Sequence, residues 1–258
     1  MIEAVIEQVR VSRKYRDLCD ETLTRIAQWA WERHPSVKSA TKVAKRKLHQ
    51  VYGAYAGQVD VKEVQRLIDL LDLDDLKTGC KTILSHHKST AERLEILDSL
   101  FDALWQITGR PTSIMDPACG FNPFVWPWMQ LSDVTYYACD IDRALVGCVE
   151  QFWAKAGVDG KIECRDLLVS VPGINADVAF LLKTLPCLEQ QEKGAGLRIL
   201  EAIQAPFVVV SFPTLSLGGK DRGMGWHYEA IITRLVKVHA WRIHRLPFEG
   251  ETFYVLEK

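Results

Sequence analysis

The sequence of 258 residues predicts an α/β protein in which an all-helical N-terminal domain precedes an open, mostly parallel β-sheet. Apolar residues recur at helical spacing up to about residue 84, and strands and helices alternate from Thr112 onward. The first predicted strand leads directly into a tight turn of small residues, Asp116–Gly120. A turn at this place in an open sheet presents the N-terminus of a helix to a nucleotide-like ligand.

The N-terminal domain, residues 1–84, is predicted to contain helices over 2–17, 20–34 and 37–51 and a further helix that begins near Val61. In the second helix one apolar face recurs at i, i+3, i+4 and i+7, formed by Leu23, Ile26, Ala27 and Ala30. We expect Asp20 to cap that helix and His34-Pro35 to end it.

The second domain, residues 85–258, is predicted to open with one long helix that starts in a capping box, Ser89–Glu92, and ends at Gly109. Seven strands follow, near 112–116, 134–139, 161–164, 177–182, 207–211, 241–246 and 252–257. The first five alternate with helices and so should lie parallel, whereas a short connection around Pro247–Glu251 makes the last two an antiparallel hairpin. This pattern predicts the seven-stranded, Rossmann-like class I methyltransferase fold.

Composition and charge narrow the class of protein. The whole chain has a net charge of -1, but residues 1–58 carry 11 Lys and Arg against 6 Asp and Glu. This basic segment at one end of the chain indicates a polyanion partner. No apolar run approaches the ~18 residues of a membrane span, and no signal pattern opens the chain, so we expect a cytoplasmic protein with no membrane partner. Seven cysteines without Cys-x-x-Cys spacing argue against a disulfide framework and a zinc site, and we expect no metal.

The turn Asp116–Gly120, with Ala118 inside it, and an acid at the end of the next strand, Asp140, form a candidate nucleotide site. An acid there accepts from ribose hydroxyls. The turn has one glycine where a dinucleotide fingerprint has three, which favours S-adenosylmethionine over a pyrophosphate cofactor, since the pyrophosphate requires closer backbone approach. Asp166 ends the third strand, where it would contact adenine together with the backbone of Leu167, or cap a turn.

Two further residues each have two interpretations. Arg93 would clamp a methionine carboxylate, but its spacing alone favours a solvated surface arginine. Cys187 follows a proline after the fourth strand, as does the nucleophile of cytosine-C5 RNA methyltransferases, although a free cysteine is more often a small buried hydrophobe.

Several motifs, in register over nearly the whole chain, resemble the aminoglycoside-resistance 16S rRNA (guanine(1405)-N(7))-methyltransferase family. They are Ser12–Cys19, His87–Leu94, Asp116–Pro123, Cys139–Ile141, Leu182–Glu189 and Ser211–Gly219. The resemblance implies an S-adenosyl-L-methionine-dependent enzyme whose helical domain docks on 16S rRNA in the 30S ribosomal subunit.

The resemblance also implies roles for residues at the matching positions. The cofactor-binding set would be Arg93, on the cofactor carboxylate, with Asp116, Ala118, Gly120, Asp140, Ile141, Asp166, Leu167 and Lys183. The resemblance places the Ser-Phe-Pro-Thr segment beside the target base, so Phe212 and Pro213, with Arg222 further on, are candidates there, although an aromatic residue after a core strand often belongs to the core. Independently of the resemblance, the clustering of positive charge in the N-terminal domain suggests contacts to the rRNA backbone, and a solvated charged helix is the alternative. The residues concerned are Arg13, Lys14, Arg16, Lys42, Lys45, Arg46 and Lys47.

The implied chemistry requires no catalytic acid or base. Guanine N7 carries a lone pair in the ring plane and attacks a sulfonium methyl group without first losing a proton, so positioning and desolvation should supply catalysis. Two alternatives remain open: a methyltransferase acting on a small molecule, and a ribosome-binding homologue that has lost activity.

Overall fold

The computed structural model describes residues 1–52, 59–214, 232–233 and 239–258. Three helices form the N-terminal unit, α1 (Ile2–Arg10), α2 (Asp20–Arg33) and α3 (Val37–Val51). Their apolar faces share one small core that includes Val5, Leu23 and Ala44. The described helices include none that is long and apolar enough to cross a membrane.

The predicted helix over 2–17 is too long. It ends at Arg10, and the chain then turns until Leu18 forms a bridge with Asp142 of the sheet domain. The next N–H, that of Cys19, donates to the carbonyl of Ile141 at 2.8 Å, so this segment is held extended by the other domain. Asp20 is not the cap of α2, because Cys19 occupies that position and the Asp20 carboxylate pairs with Arg10 and Arg143.

Four helices lead from the N-terminal unit to the sheet: α4 (Val61–Asp69), α5 (Leu76–Ser85), α6 (Lys88–Ala91) and α7 (Leu97–Thr108). The buried residues of α4 and α5, such as Val64 and Ile83, pack in the core of the sheet domain and not in that of α1–α3. This packing favours a domain boundary between α3 and α4 over one at residue 84.

The single long helix predicted from Ser89 is broken. It is divided into α6, a 3-10 turn at Leu94–Ile96 and α7, and its N-cap is His87. Instead of capping, the hydroxyl of Thr90 donates to the carbonyls of Leu84 and His87 at 2.8 and 2.9 Å. The capping-box prediction was therefore wrong, because Ser89 lies inside α6 and the carboxylate of Glu92 pairs with Lys183.

The seven predicted strands are all present: β1 (Ser113–Pro117), β2 (Thr135–Asp140), β3 (Gly160–Cys164), β4 (Val178–Leu182), β5 (Phe207–Pro213), β6 (Arg242–Phe248) and β7 (Glu251–Glu257). Their order in the sheet is β3-β2-β1-β4-β5-β7-β6. The first five are parallel, and β7 enters antiparallel between β5 and β6, which confirms the predicted fold class.

Helices cover both faces of the sheet. Between β1 and β5, the later helices are α8 (Trp126–Met129), α9 (Arg143–Ala156), α10 (Leu185–Gln191) and α11 (Ala195–Ala202). Successive residues of a strand face opposite sides, so Ile114 packs with α7 and α9 while Met115 packs with α10 and α11. Burial on both faces leaves the carboxyl ends of the parallel strands as the natural ligand edge.

Candidate cofactor site and nucleic-acid interface

A cavity of about 1090 Å³ opens at the carboxyl ends of β1 to β4, and we call it the sheet-edge cavity. Both domains line it: the loops after these four strands on one side, and residues of α2 and the segment 13–17 on the other. Its volume lies just above the range of small-molecule sites, ~300–1,000 Å³.

The turn after β1 forms the floor of the sheet-edge cavity. Ala118 and Gly120 both adopt the left-handed region, with φ of 57° and 54°. A Cβ at Gly120 would make only an ordinary contact, 3.4 Å from the His87 ring, so it is the backbone angle and not the space that favours glycine. The Gly120 N–H donates to Oδ2 of Asp140 at 2.9 Å, which joins the turn to the end of β2.

Asp140 is held for further hydrogen bonding. Its Oδ1 accepts from the Asp142 N–H at 3.1 Å, and burial raises the pKa of the carboxyl to about 6, against the lowering effect of the Gly120 N–H. A carboxylate has about four acceptor positions, so these two bonds leave room for two ribose hydroxyls. Ile141, the next residue, lines the cavity and also packs against the core of α1–α3.

Asp116, predicted to bind the cofactor, does not line the sheet-edge cavity. Its carboxylate is 2% exposed and accepts from Asn122 Nδ2 and Tyr136 Oη, both at 2.8 Å. Burial raises the pKa of Asp116 to about 7, although these two donors lower it. The side chain thus fixes the turn from beneath, and its predicted direct contact is corrected to an indirect one.

Arg93 is not a surface arginine, because it is 1% exposed. Its Nη2 and Nε donate to Glu251 at 2.8 and 3.2 Å, and its Nη1 donates to Asn122 Oδ1 at 3.2 Å. It also lines the cavity, as the interpretation as a carboxylate clamp requires. The interpretation as a solvated surface side chain was wrong.

Lys183 pairs with the same glutamate as Arg93. It follows β4 with a φ of 57°, and its Nζ lies 2.7 Å from Glu92 Oε2 and 3.2 Å from Glu251 Oε2. Burial alone would raise the pKa of Glu251, but Arg93 and Lys183 hold it below its usual value. Sequence reasoning missed Glu251, whose only signal was an acid at the start of the last strand.

Asp166 lines the cavity, but α2 holds its carboxylate. Oδ2 accepts from Thr22 and Arg25, and Oδ1 accepts from the Leu168 N–H at 2.9 Å, which is the turn-capping geometry. The N–H of Leu167 has no acceptor among the described residues, although Leu167 is 3% exposed. A buried N–H of this kind fits a ring nitrogen of a ligand.

Cys187 also lines the cavity, in the first turn of α10. Its thiol lies 3.9 Å from the carbonyl of Lys183. The described residues hold no group of three or more His, Cys, Asp or Glu side chains suited to a metal ion.

The predicted rRNA contacts divide into two groups. Arg13, Lys14 and Arg16 line the sheet-edge cavity. Lys42, Lys45 and Arg46 lie on α3, and within the described part of the chain they form no ion pair with an acid. Lys47 instead lies over the Trp29 ring at 5.6 Å, and burial lowers its pKa.

Of the residues predicted to lie beside the target base, the two that the structure describes, Phe212 and Pro213, do not line the sheet-edge cavity. Phe212 is 2% exposed in the core under the sheet and packs edge-on against Tyr254, with ring centroids 6.0 Å apart. It is a core residue because its position in β5 turns it away from the ligand edge. Pro213 is half-buried and does not line the cavity among the described residues, while Arg222 lies outside them.

The chain matches the family model of ribosomal RNA methyltransferases (FmrO) over residues 11–255. This chain belongs to that family. It is 34% identical to the 16S rRNA (guanine(1405)-N(7))-methyltransferase of Micromonospora echinospora, over 100% of this chain and 97% of the relative. The enzyme of that name from Serratia marcescens is 33% identical over 89% of this chain and 87% of its own length. The resemblance found in the motifs is confirmed.

Solved structures of 16S rRNA methyltransferases have the same fold over the full chain. The structure of RmtF in complex with S-adenosyl-L-homocysteine covers 100% of this chain and 98% of its own, with a TM-score of 0.88 and 29% identity. The structure of RmtB matches with a TM-score of 0.82 and 28% identity, over 100% of this chain and 98% of its own. The N-terminal helices are therefore part of the shared architecture.

Proposed function

We propose that this protein transfers a methyl group from S-adenosyl-L-methionine to N7 of guanine(1405) of 16S rRNA within the 30S subunit, in the cytoplasm, and thereby protects the ribosome from aminoglycosides. One observation carries the proposal: a single cavity is lined both by the loops that bind nucleosides in this fold and by cations of the helical domain. Family membership and the relatives named above support the reaction.

The residues of the sheet-edge cavity fit S-adenosyl-L-methionine. Asp140 keeps acceptor positions for the ribose, the Leu167 N–H and the Asp166 carboxylate suit the edge of adenine, and Arg93 suits the amino-acid carboxylate. The cofactor supplies an electrophilic methyl group when bound. The protein's task is to hold the guanine N7 lone pair in line with that methyl group, which contributes roughly 7–11 kcal/mol to catalysis.

The charges around the site suit a reaction in which the base becomes positive. An unpaired cation beside the guanine would oppose that change. The cations at this end are Arg93, which is buried, and Lys183, whose side chain is 10% exposed. Glu251 pairs with both and Glu92 pairs with Lys183, so two acids balance the two cations. The described residues thus hold the cofactor end of the cavity near charge balance.

The helical domain is proposed to bring the rRNA to the cavity. Exposing a stacked guanine costs a few kcal/mol, which contacts to the flanking phosphates must offset. Arg13, Lys14 and Arg16 line the cavity, and α3 provides further positive charge. Its cations Lys42, Lys45 and Arg46 have no acidic partners among the described residues.

The test is methylation of purified substrates with labelled S-adenosyl-L-methionine. We expect label on 30S subunits and little on naked 16S rRNA, with one modified guanine that becomes a strand-cleavage site after borohydride and aniline treatment. Expression in a susceptible bacterium should give tolerance of gentamicin and kanamycin without tolerance of apramycin. Label found only on protein or on a small metabolite would contradict the proposal, as would a lack of cofactor binding.

A further inference from the structure

Side chains of the N-terminal helix α2 reach across to the loop after β3 and bind the carboxylate of Asp166. The Thr22 hydroxyl and the Arg25 Nε each donate to Oδ2 at 2.9 Å, and the Arg25 Nη2 lies 2.8 Å from the same oxygen. From the same helix, Glu21 accepts the backbone N–H of Asp166 at 2.8 Å. The N-terminal unit therefore binds both the carboxylate and the backbone N–H of Asp166 in this loop.

These contacts decide which oxygen of Asp166 remains available. Each carboxylate oxygen has about two acceptor positions, and Oδ2 is filled by Thr22 and Arg25. Oδ1 accepts only the Leu168 N–H among the described residues, so one position on it is left. The carboxylate thus keeps a single acceptor, in a group that lines the sheet-edge cavity.

The ion pair between Arg25 and Asp166 is largely removed from water, so its contribution to stability does not by itself explain it. The side chain of Asp166 is 4% exposed and that of Arg25 is 24% exposed. An ion pair taken this far from water gains little net stability, because desolvation offsets the attraction. Arg25 is further fixed by Gln191, whose Oε1 accepts from its Nη2 at 2.9 Å. Arg25 and Gln191 both line the cavity.

We propose that Arg25 and Thr22 are positioning residues of the adenine subsite: they fix Asp166 so that its one remaining acceptor receives the exocyclic amino group of the cofactor's adenine. The N-terminal domain thereby completes the cofactor site as well as facing the rRNA. This inference rests on the proposed assignment of Asp166 to adenine, and its test uses binding alone, without ribosomes.

The test compares S-adenosyl-L-homocysteine with S-inosyl-L-homocysteine, in which a carbonyl oxygen replaces the amino group, by calorimetry on the full chain. A site that hydrogen-bonds an amino group rejects an analogue that lacks it. We expect Arg25→Gln to weaken adenosyl binding about tenfold and inosyl binding much less, so that the preference shrinks. Arg25→Lys should restore part of the preference, and Thr22→Val should lower it in the same direction.

The controls separate positioning from a general loss of structure. Arg33→Gln changes an arginine at the other end of α2, over the Trp29 ring, and should leave both affinities unchanged. When Asp166→Asn is already present, adding Arg25→Gln should weaken the binding of S-adenosyl-L-homocysteine hardly any further, since Arg25 acts through Asp166. Two outcomes would overturn the inference while leaving the proposed function intact. One is that Arg25→Gln keeps the wild-type preference for the adenosyl over the inosyl ligand. The other is that the losses of binding free energy caused by Arg25→Gln and Asp166→Asn add fully in the double variant. Failure of the wild type to bind S-adenosyl-L-homocysteine would overturn both.

Discussion

Arg93 shows how one buried charge organises this site. A guanidinium that is 1% exposed is stable only with partners, and these are Glu251, at the start of β7, and Asn122, in the 3-10 turn that follows β1. The pairing also fixes the guanidinium at the cavity wall, where a second carboxylate would meet it. The same side chain thus serves packing and the proposed recognition.

Removing the charge of Glu251 tests this pairing. Glu251→Gln leaves Arg93 buried without its counter-ion, and we expect the free energy of unfolding to fall by about 3 kcal/mol. Urea unfolding at neutral pH measures it. The matched control is Glu249→Gln, which changes an exposed glutamate in the turn just before β7 and should leave the free energy of unfolding unchanged. Equal effects of the two variants would contradict the role assigned to the ion pair.

Asp140 makes cofactor binding sensitive to pH. Burial raises its pKa to about 6, so below that pH the carboxyl is protonated and loses acceptor capacity for the ribose hydroxyls. If the ionised form alone binds, the dissociation constant of S-adenosyl-L-homocysteine should rise about tenfold between pH 7.5 and pH 5.

The control for this pH dependence is Asp140→Asn. It should bind more weakly at neutral pH and show a flat profile through pH 6, because the titrating group is gone. A profile in Asp140→Asn as steep as that of the wild type would assign the titration to another group, such as Asp116, whose pKa burial raises to about 7.

The turn that follows β1 holds a backbone conformation that is unfavourable for a residue with a Cβ. Ala118 has a Cβ and yet adopts a φ of 57°, next to Gly120 at 54°. Side chains disfavour this region by roughly 1–2 kcal/mol. The bond from the Gly120 N–H to Asp140 and the contacts of Asp116 beneath the turn hold it there.

Glycine at position 118 should release that strain. We expect Ala118→Gly to raise the free energy of unfolding by roughly 0.5–1 kcal/mol, whereas Ala154→Gly, on an exposed position of α9, should lower it by about 1 kcal/mol. Urea unfolding of both variants provides the comparison. A loss of stability in Ala118→Gly would show that the turn is relaxed with alanine.

At the scale of the whole molecule, the N-terminal unit contacts the loop that follows Asp140 at the end of β2 and the loop after β3, which contains Asp166. The Arg143 N–H donates to the Asp17 carbonyl at 2.8 Å, and Tyr52 donates to Asp142, so the loop after β2 is held as the loop after β3 is. The unit thus supports the two cofactor loops, and the proposed function gives it a second role, in which its positive charge binds rRNA.

These two functions should separate by mutation. Replacing Lys42, Lys45 and Arg46 together by Ala should reduce kcat/KM on 30S subunits by roughly 10–100-fold and lower the salt dependence of 30S binding, because fewer counterions are released. The dissociation constant of S-adenosyl-L-homocysteine should stay within about twofold, since no cavity-lining residue changes.

The matched control is Lys161→Ala, on the exposed edge of β3, which should affect neither measurement. A 30S salt dependence that is identical in the α3 variant and the wild type would contradict the proposed role of α3.

Periodicity, strand spacing and local motifs were enough to predict the seven strands, the antiparallel β7 and the loops at which Asp140, Asp166 and Gly120 lie. These features follow from short-range patterns, because strand order in this fold class follows from alternation and connection length. The motifs also located the family, which the match over residues 11–255 confirms.

Contacts between residues far apart in the chain could not be read in this way. The partner of Arg93 is 158 residues away and that of Arg25 is 141 residues away, and no local pattern links either pair. The break at Leu94–Ile96, the burial of Phe212 and the withdrawal of Asp116 from the cavity likewise depend on which surfaces pack together. Burial and pairing across the two domains are properties of the folded chain, so only its three-dimensional packing assigns these side chains their partners.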